Sequence, residues 1–312
     1  MPSTVYVTVF PDDCFNRSVN CYIIPSVMAI WDFDYSSISS ITRLLEDNGL
    51  GMTKKFGQNF LISMSALDRI TALSGAAAGK RIWEVGPGAG ALTSRLLATG
   101  ADVTAFEIDH GFCRILREQA FVDVPNFTLV EGDALKTWKE TWAAEGTPDI
   151  ICANLPYNVG SVFIASLIEN RCLPQVMVYT LQTEVVERIC ARQGSDDFSG
   201  FSILCSIDYE NTSAFRLGSG CFFPPPNVES SVVVMKKREN PLVPDDEARG
   251  FLELVRILFA QRRKTVKNNL KATGRSSTEI DRALAECGIS QTERAEKLIP
   301  DQMLALKRSL KV

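Results

Sequence analysis

The chain has 312 residues, 46% of them apolar, and a formal net charge of −4, enough to bury one sizeable core and leave room for a smaller second domain. Its single histidine, His110, argues against histidine-ligated metals and Ser-His-Asp catalysis, and its nine cysteines form no C-x-x-C pair, so neither a zinc site nor a disulfide framework is expected. No apolar run approaches the roughly 18 residues of a membrane span, and an amino-terminal stretch with Asp12, Asp13, Asp32 and Asp34 against Arg17 suits neither a signal nor a transit peptide, so the protein is expected to be cytoplasmic.

Residues 1–36 show neither helical nor strand periodicity and are expected to form a poorly ordered extension, with Met28 a candidate start. Helical spacing begins in SSISSITRLLEDNGLG, where Gly49 and Gly51 stand to end it. Short apolar runs then alternate with helical stretches. RIWEV (81–85), DVTAFEI (102–108), FTLV (127–130), DIICA (149–153) and QVMVYTL (175–181) read as strands; ALTSRLLATG, FCRILREQA, VFIASLIEN and EVVERICAR read as helices. This alternation predicts an α/β fold with a parallel, doubly wound sheet. SILCSIDYE and SSVVVMKK read as two further strands at an antiparallel edge.

A Pro-containing stretch, RENPLVPDDEARG, separates this sheet domain (37–238) from a helical C-terminal domain (239–312). There FLELVRILFAQRRKTVKNNL reads as one long amphipathic helix. SSTEIDRALAECG reads as another, with Ser276 and Glu279 in capping-box spacing and Gly288 as its stop. From Lys236 onward 17 lysines and arginines face 11 acids, net +6, against −10 for the rest, so the tail is the candidate holder of a polyanion.

The first candidate site follows RIWEV. Gly86, Gly88 and Gly90 of GPGAG let the backbone approach a ligand closely, and Glu107, about 20 residues on at the end of the next strand, suits the two hydroxyls of a ribose. A dinucleotide dehydrogenase would use similar parts, but its usual pattern is G-x-G-x-x-G. Glu84 favours an ammonium-bearing ligand over a pyrophosphate, which points to S-adenosylmethionine, and Asp133 of GDAL can accept from that cofactor's adenine amine.

The second site is NLPYNV (154–159). An adenine amino group is a poor nucleophile because its lone pair is delocalised into the ring. Two acceptors, the Asn154 side-chain oxygen and a backbone carbonyl of Leu155 or Pro156, would favour the pyramidal nitrogen that attacks a methyl group. Proline restricts the backbone and Tyr157 offers a face for the base to stack on, worth about 1–3 kcal/mol. No strong general base is needed, since the nitrogen becomes acidic once methylated. Positioning then carries the catalysis.

These stretches, with KKFGQNFL (54–61), QTEVVERI, FFPPPNVESSVV and FAQRRKTVKNNL, resemble the ribosomal RNA adenine N6-dimethyltransferase family from about Ser37 to Val312. The resemblance implies a Rossmann-like seven-stranded S-adenosylmethionine-dependent methyltransferase sheet with a small C-terminal all-α domain. It implies cofactor contacts at Asn59, Leu61, Gly86, Glu107, Asp133 and Asn154, and a target-base pocket of Asn154, Leu155, Pro156, Tyr157 and Phe222, with no metal. The implied activity is dimethylation of two neighbouring adenosines near the 3′ end of small-subunit (16S) rRNA, on the pre-30S particle, by a monomer. Thr183 and Asn227 stand where the family often has lysine, and Asp196 and Asp197 where relatives place basic or neutral residues.

Arg262, Arg263, Lys264, Lys267 and Lys271 are the candidate RNA contacts, with Arg263, Lys267 and Lys271 expected on one helical face. The competing readings are a large-subunit rRNA methyltransferase of the macrolide-resistance type, a non-catalytic ribosome assembly factor, and an NAD-dependent dehydrogenase.

Overall fold

A computed structural model describes residues 31–50, 59–156 and 159–311. Five parallel strands carry the fold: β2 (Arg81–Val85), β3 (Asp102–Glu107), β4 (Phe127–Glu131), β5 (Ile150–Asn154) and β6 (Val176–Gln182). The inner ones, buried on both faces, read as apolar runs in the sequence, while β4 at the edge has no buried residue. Two antiparallel strands, β7 (Tyr209–Leu217) and β9 (Ser230–Lys237), extend the sheet to seven in the order β4-β3-β2-β5-β6-β9-β7. A separate pair, β1 (Phe60–Leu61) and β8 (Phe222–Phe223), escaped the sequence reading because two residues carry no periodicity.

Helices cover both faces: α2 (Met64–Ser74), α3 (Ala91–Ala98), α4 (His110–Ile115), α5 (Ala134–Glu145), α6 (Gly160–Glu169), α7 (Thr183–Cys190) and α8 (Gly200–Ile207). The last of these corrects an expectation. SILCSIDYE is a helix through Ile207, started by a Ser199/Ser202 capping box, and only its final two residues join β7. A short apolar run does not distinguish a strand from a buried helix, and β7, a bulged edge strand with exposed residues along it, has no apolar pattern to announce it.

Upstream, Ser37 caps α1 (Ile38–Asp47), accepting from the Ser40 N–H at 3.1 Å. The preceding residues have no helix or strand, yet Trp31 and Phe33 stack at 4.7 Å and Tyr35 is buried. Residues 1–30 and Gly51 lie outside the described residues.

The tail is helical: α9 (Asp245–Phe259), α10 (Val266–Leu270), α11 (Ser277–Glu286) and α12 (Pro300–Leu310). The expected single long helix is two. It stops at Phe259, and Thr265 caps α10 by accepting from the Asn268 N–H at 3.3 Å. Buried Asn269 ties the break together, donating to the Leu258 carbonyl at 2.6 Å and the Gln261 carbonyl at 3.3 Å. Arg263 therefore sits in a turn and does not share a helical face with Lys267, within α10, and Lys271, just past its end. The Ser276/Glu279 capping box is present on α11, and Gly288 follows it at φ +63°.

Buried side chains of α9 to α12 join the same contiguous core as Trp83, Phe163 and Met235. Arg171 adds a polar tie, donating to Asp208 at 2.6 Å and to Asp245 of α9 at 2.6 Å. Among the described residues no helix is long and apolar enough to cross a membrane.

Within the tail, Glu247 of α9 accepts from Arg308 Nε and Lys307 Nζ of α12, each at 3.1 Å, and these cations, Arg308 foremost, hold its carboxyl down at about 2. A depressed carboxyl contributes stability above its unfolded value near 4.5, and loses it as pH falls toward 2. Glu247→Gln is expected to lower the melting temperature by a few degrees at neutral pH and to match wild type in strong acid. Thermal unfolding across that range checks this; a gap that persists in acid contradicts it.

Candidate active site

Strand order reverses between β2 and β5, and the carboxyl ends of these two strands open on a cavity of about 420 Å³. After β2 the chain turns through Gly86, Gly88 and Gly90 at φ +69°, +55° and +90°, angles that favour glycine. A Cβ on Gly90 would lie 2.8 Å from the Phe121 ring, and one on Gly88 3.2 Å from Phe60. Gly86 faces Pro156: a Cβ on it would stand 3.6 Å from the proline ring.

Glu107 ends β3 on the cavity wall, buried. Its Oε2 accepts from the Gly88 N–H and its Oε1 from the Asp109 N–H, each at 3.0 Å. Burial raises its pKa above the usual carboxylate range, against the pull of those two bonds. Glu84, 1% exposed, is pushed up to about 8 by burial, with the Glu107 carboxylate adding to the shift. Its Oε2 has no hydrogen-bond partner among the described residues. Asp133 lines the cavity while its Oδ1 caps α5, accepting from the Leu135 N–H at 3.0 Å.

Asn154 ends β5. Its Nδ2 donates to the Asn59 carbonyl at 3.1 Å. A carbonyl can only accept, so the amide nitrogen must face Asn59 and the amide oxygen is turned the other way. The Pro156 carbonyl accepts from the N–H groups of Val159 (3.0 Å) and Gly160 (3.3 Å), which occupies both its lone pairs. Of the two backbone acceptors left open by the sequence, Leu155 is the one not committed to this turn. Phe222 pairs with Leu61 across the small β1–β8 sheet and lines the cavity with only 3% exposure.

The cavity thus brings together Asn59, Leu61, Gly86, Glu107, Asp133 and Asn154, and with them Leu155, Pro156 and Phe222. Tyr157 lies outside the described residues. The five basic residues do not line it. Arg262 donates to the Asp196 carbonyl at 2.6 Å, and Lys267 pairs with Asp281 at 2.6 Å and with Gln291 at 3.0 Å, while Arg263, Lys264 and Lys271 are exposed. Sequence reasoning missed Tyr35 and the exposed Ile108, both on the cavity. An apolar residue directly after a strand-ending acid was the available signal for Ile108; Tyr35 had none.

A parallel sheet whose first strand feeds a glycine turn and whose second ends on an acid, completed by an antiparallel edge, is a Rossmann-like fold, and the family model and relatives below make this one a methyltransferase. Residues 50–311 match the ribosomal RNA adenine dimethylase family, and the chain belongs to it. Ribosomal RNA small subunit methyltransferase A of Treponema denticola is 40% identical over 270 residues, covering 85% of this chain and 92% of that protein. Its counterpart in Magnetococcus marinus is 37% identical, covering 87% and 96%. In structure the chain is similar to a dimethyladenosine transferase from Plasmodium falciparum (TM-score 0.67, 22% identity, 80% of this chain and 97% of that one). It is also similar in fold to the 23S rRNA methyltransferase ErmE (TM-score 0.61, 22% identity, 81% and 100%).

The raised pKa of Glu84 makes a pH signature. Below 4.5 both folded and unfolded carboxyls hold their protons; between 4.5 and about 8 only the unfolded one ionises, so stability falls as pH rises through that window. Ligand-free Glu84→Gln is expected to melt with wild type near pH 4.5 and above it at pH 8, by on the order of 5 °C. Scanning calorimetry at the two pH values decides it, and an equal offset at both contradicts the assignment.

Proposed function

We propose that this chain transfers methyl groups from S-adenosylmethionine to N6 of two adjacent adenosines near the 3′ end of small-subunit (16S) rRNA, acting as a cytoplasmic monomer on the pre-30S particle. The observation that carries the chemistry is the Asn154 amide, oriented by Asn59 at the mouth of a cavity built from a glycine turn and buried acids. The substrate class is supported by relatives named as small subunit methyltransferases that align over most of the chain.

The cavity fits the donor on its own chemistry. The unpartnered Oε2 of Glu84 is the acceptor that an ammonium group would satisfy, and the left-handed backbone at Gly86 and Gly88 lines the cavity beside it. Glu107 is placed for ribose hydroxyls, while Asp133 and the exposed face of Ile108 suit an adenine edge and ring. S-adenosylmethionine supplies a methyl on a sulfonium: the N–C bond forms as the C–S bond breaks, the sulfur keeps the electron pair, and the nitrogen then gives a proton to water.

This chain's residues prepare the nucleophile. The Asn154 Oδ1 and the Leu155 carbonyl accept the two hydrogens of the adenine amine, which turns its lone pair toward the methyl. Pro156 restricts the backbone that carries this acceptor, Tyr157 supplies the stacking face, and Phe222 closes the wall behind the base. Near-attack alignment of this kind supplies about 7–11 kcal/mol without any histidine base. The exposed Arg263, Lys264 and Lys271 hold RNA phosphates, with Arg262 fixing the turn that presents them.

Purified small and large ribosomal subunits incubated with labelled donor test the reading. Label is expected in the small subunit alone, and Asn154→Ala is expected to lower it about 100-fold or more. Label confined to the large subunit, or a fully active Asn154→Ala enzyme, overturns the proposal.

A further inference from the structure

Tyr35 lies ahead of every strand of the described fold, in a stretch with no helix or strand, and is nevertheless 5% exposed. Its ring packs in one buried cluster with Ile41 and Leu44 of α1 and with Ala89 and Phe112. Its hydroxyl reaches two atoms of the glycine turn and the helix that follows: it donates to the Ala89 carbonyl at 3.1 Å and lies 3.1 Å from Ser94 Oγ. A phenol has one hydrogen and a carbonyl can only accept, so the Ser94 hydroxyl is the donor in the second bond. Burial pushes the phenol's pKa well above its ordinary value, so the proton this arrangement needs stays in place.

Gly88 and Gly90 on either side of Ala89 are both left-handed, and the peptide between Ala89 and Gly90, with a glycine on its carboxyl side, meets little steric resistance to rotation there. Here it is held at both ends. Its carbonyl accepts from Tyr35, and its N–H, that of Gly90, donates to the Pro87 carbonyl at 2.9 Å. The other fixed points of the turn come from the sheet itself: the Gly86 N–H donates to the Phe106 carbonyl at 2.9 Å and the Gly88 N–H to Glu107. Among the described residues ahead of the sheet, Tyr35 is the side chain that donates to this turn.

We propose that Tyr35 is a positioning residue for the methyl donor, locking the Ala89–Gly90 peptide so that the glycine turn is ordered before the donor arrives. The inference rests on the reading of the cavity as a donor site. A turn already fixed loses less freedom on binding, and the gain appears as affinity for the donor with no change in the chemical step.

Tyr35→Phe keeps the ring and its packing and removes only the hydroxyl. Its melting temperature without ligand should stay within a few degrees of wild type. Its Kd and KM for S-adenosylmethionine should rise about five- to tenfold, the loss expected for one hydrogen bond. Its kcat at saturating donor and its KM for the RNA should stay within about twofold, as expected for loss of uniform binding. Ser94→Ala, which leaves the Tyr35 donation intact, should weaken donor binding less, and the double variant should be no worse than Tyr35→Phe alone. A Tyr35→Phe enzyme that binds donor as tightly as wild type, or one whose kcat falls while donor affinity holds, overturns the positioning role and leaves the cavity reading standing. Wild-type protein that fails to bind S-adenosylmethionine in the same titration overturns both.

Discussion

The site depends on the reversal of strand order between β2 and β5. The chain leaves β2 toward β3 and β4, then returns on the other side as β5 and β6, so the loops after β2 and β5 part over a shared crevice. One loop is the glycine turn and the other begins with Leu155 and Pro156. A Cβ on Gly86 would stand 3.6 Å from the Pro156 ring, so the two loops face each other with about one side-chain carbon's space between them. Their separation is set by backbone and a rigid ring, and flexible side chains play little part in it. A reaction driven by alignment needs that kind of support.

Two contacts from outside the sheet finish the enclosure. The Asn59 carbonyl orients the Asn154 amide, and the β1–β8 pair brings Leu61 and Phe222 over the cavity. Both act across large sequence separations, 95 residues in the case of Asn59 and Asn154. The β1 segment and the strand carrying Phe222 therefore depend on each other for their placement.

Charge is partitioned along the chain. The wall of the cavity holds two buried acids, Glu84 and Glu107, whose carboxyls are both raised by burial. Among the described residues no lysine or arginine lines this wall to meet a pyrophosphate, while an ammonium group would find the unpartnered Oε2 of Glu84, which weighs against a dinucleotide. Cations collect instead in the helical tail, and there the structure sorts them. Lys267 is engaged with Asp281 and Gln291, and Arg262 with the Asp196 backbone, so these two brace the turn, while Arg263, Lys264 and Lys271 face solvent. The backbone carbonyl of Asp196 thus anchors an arginine from the tail.

The sequence by itself determined the five parallel strands, the glycine turn, the strand-ending acid and the NLPYNV segment, because each announces itself locally. A strand buried on both faces is an apolar run, and a tight turn needs glycine. It did not announce β7, an edge strand facing solvent, or the helix α8, whose apolar run has the length of a strand. The break between α9 and α10 was hidden because Val266 and Leu270 are buried and keep the apolar spacing running across the turn. Only the tertiary structure decided which way the Asn154 amide faces, that the Pro156 carbonyl is taken up by its own turn, which cations are already paired, and that Tyr35 reaches the glycine turn. Those are matters of hydrogen-bond partners supplied by distant segments, and sequence periodicity reports burial, not partners.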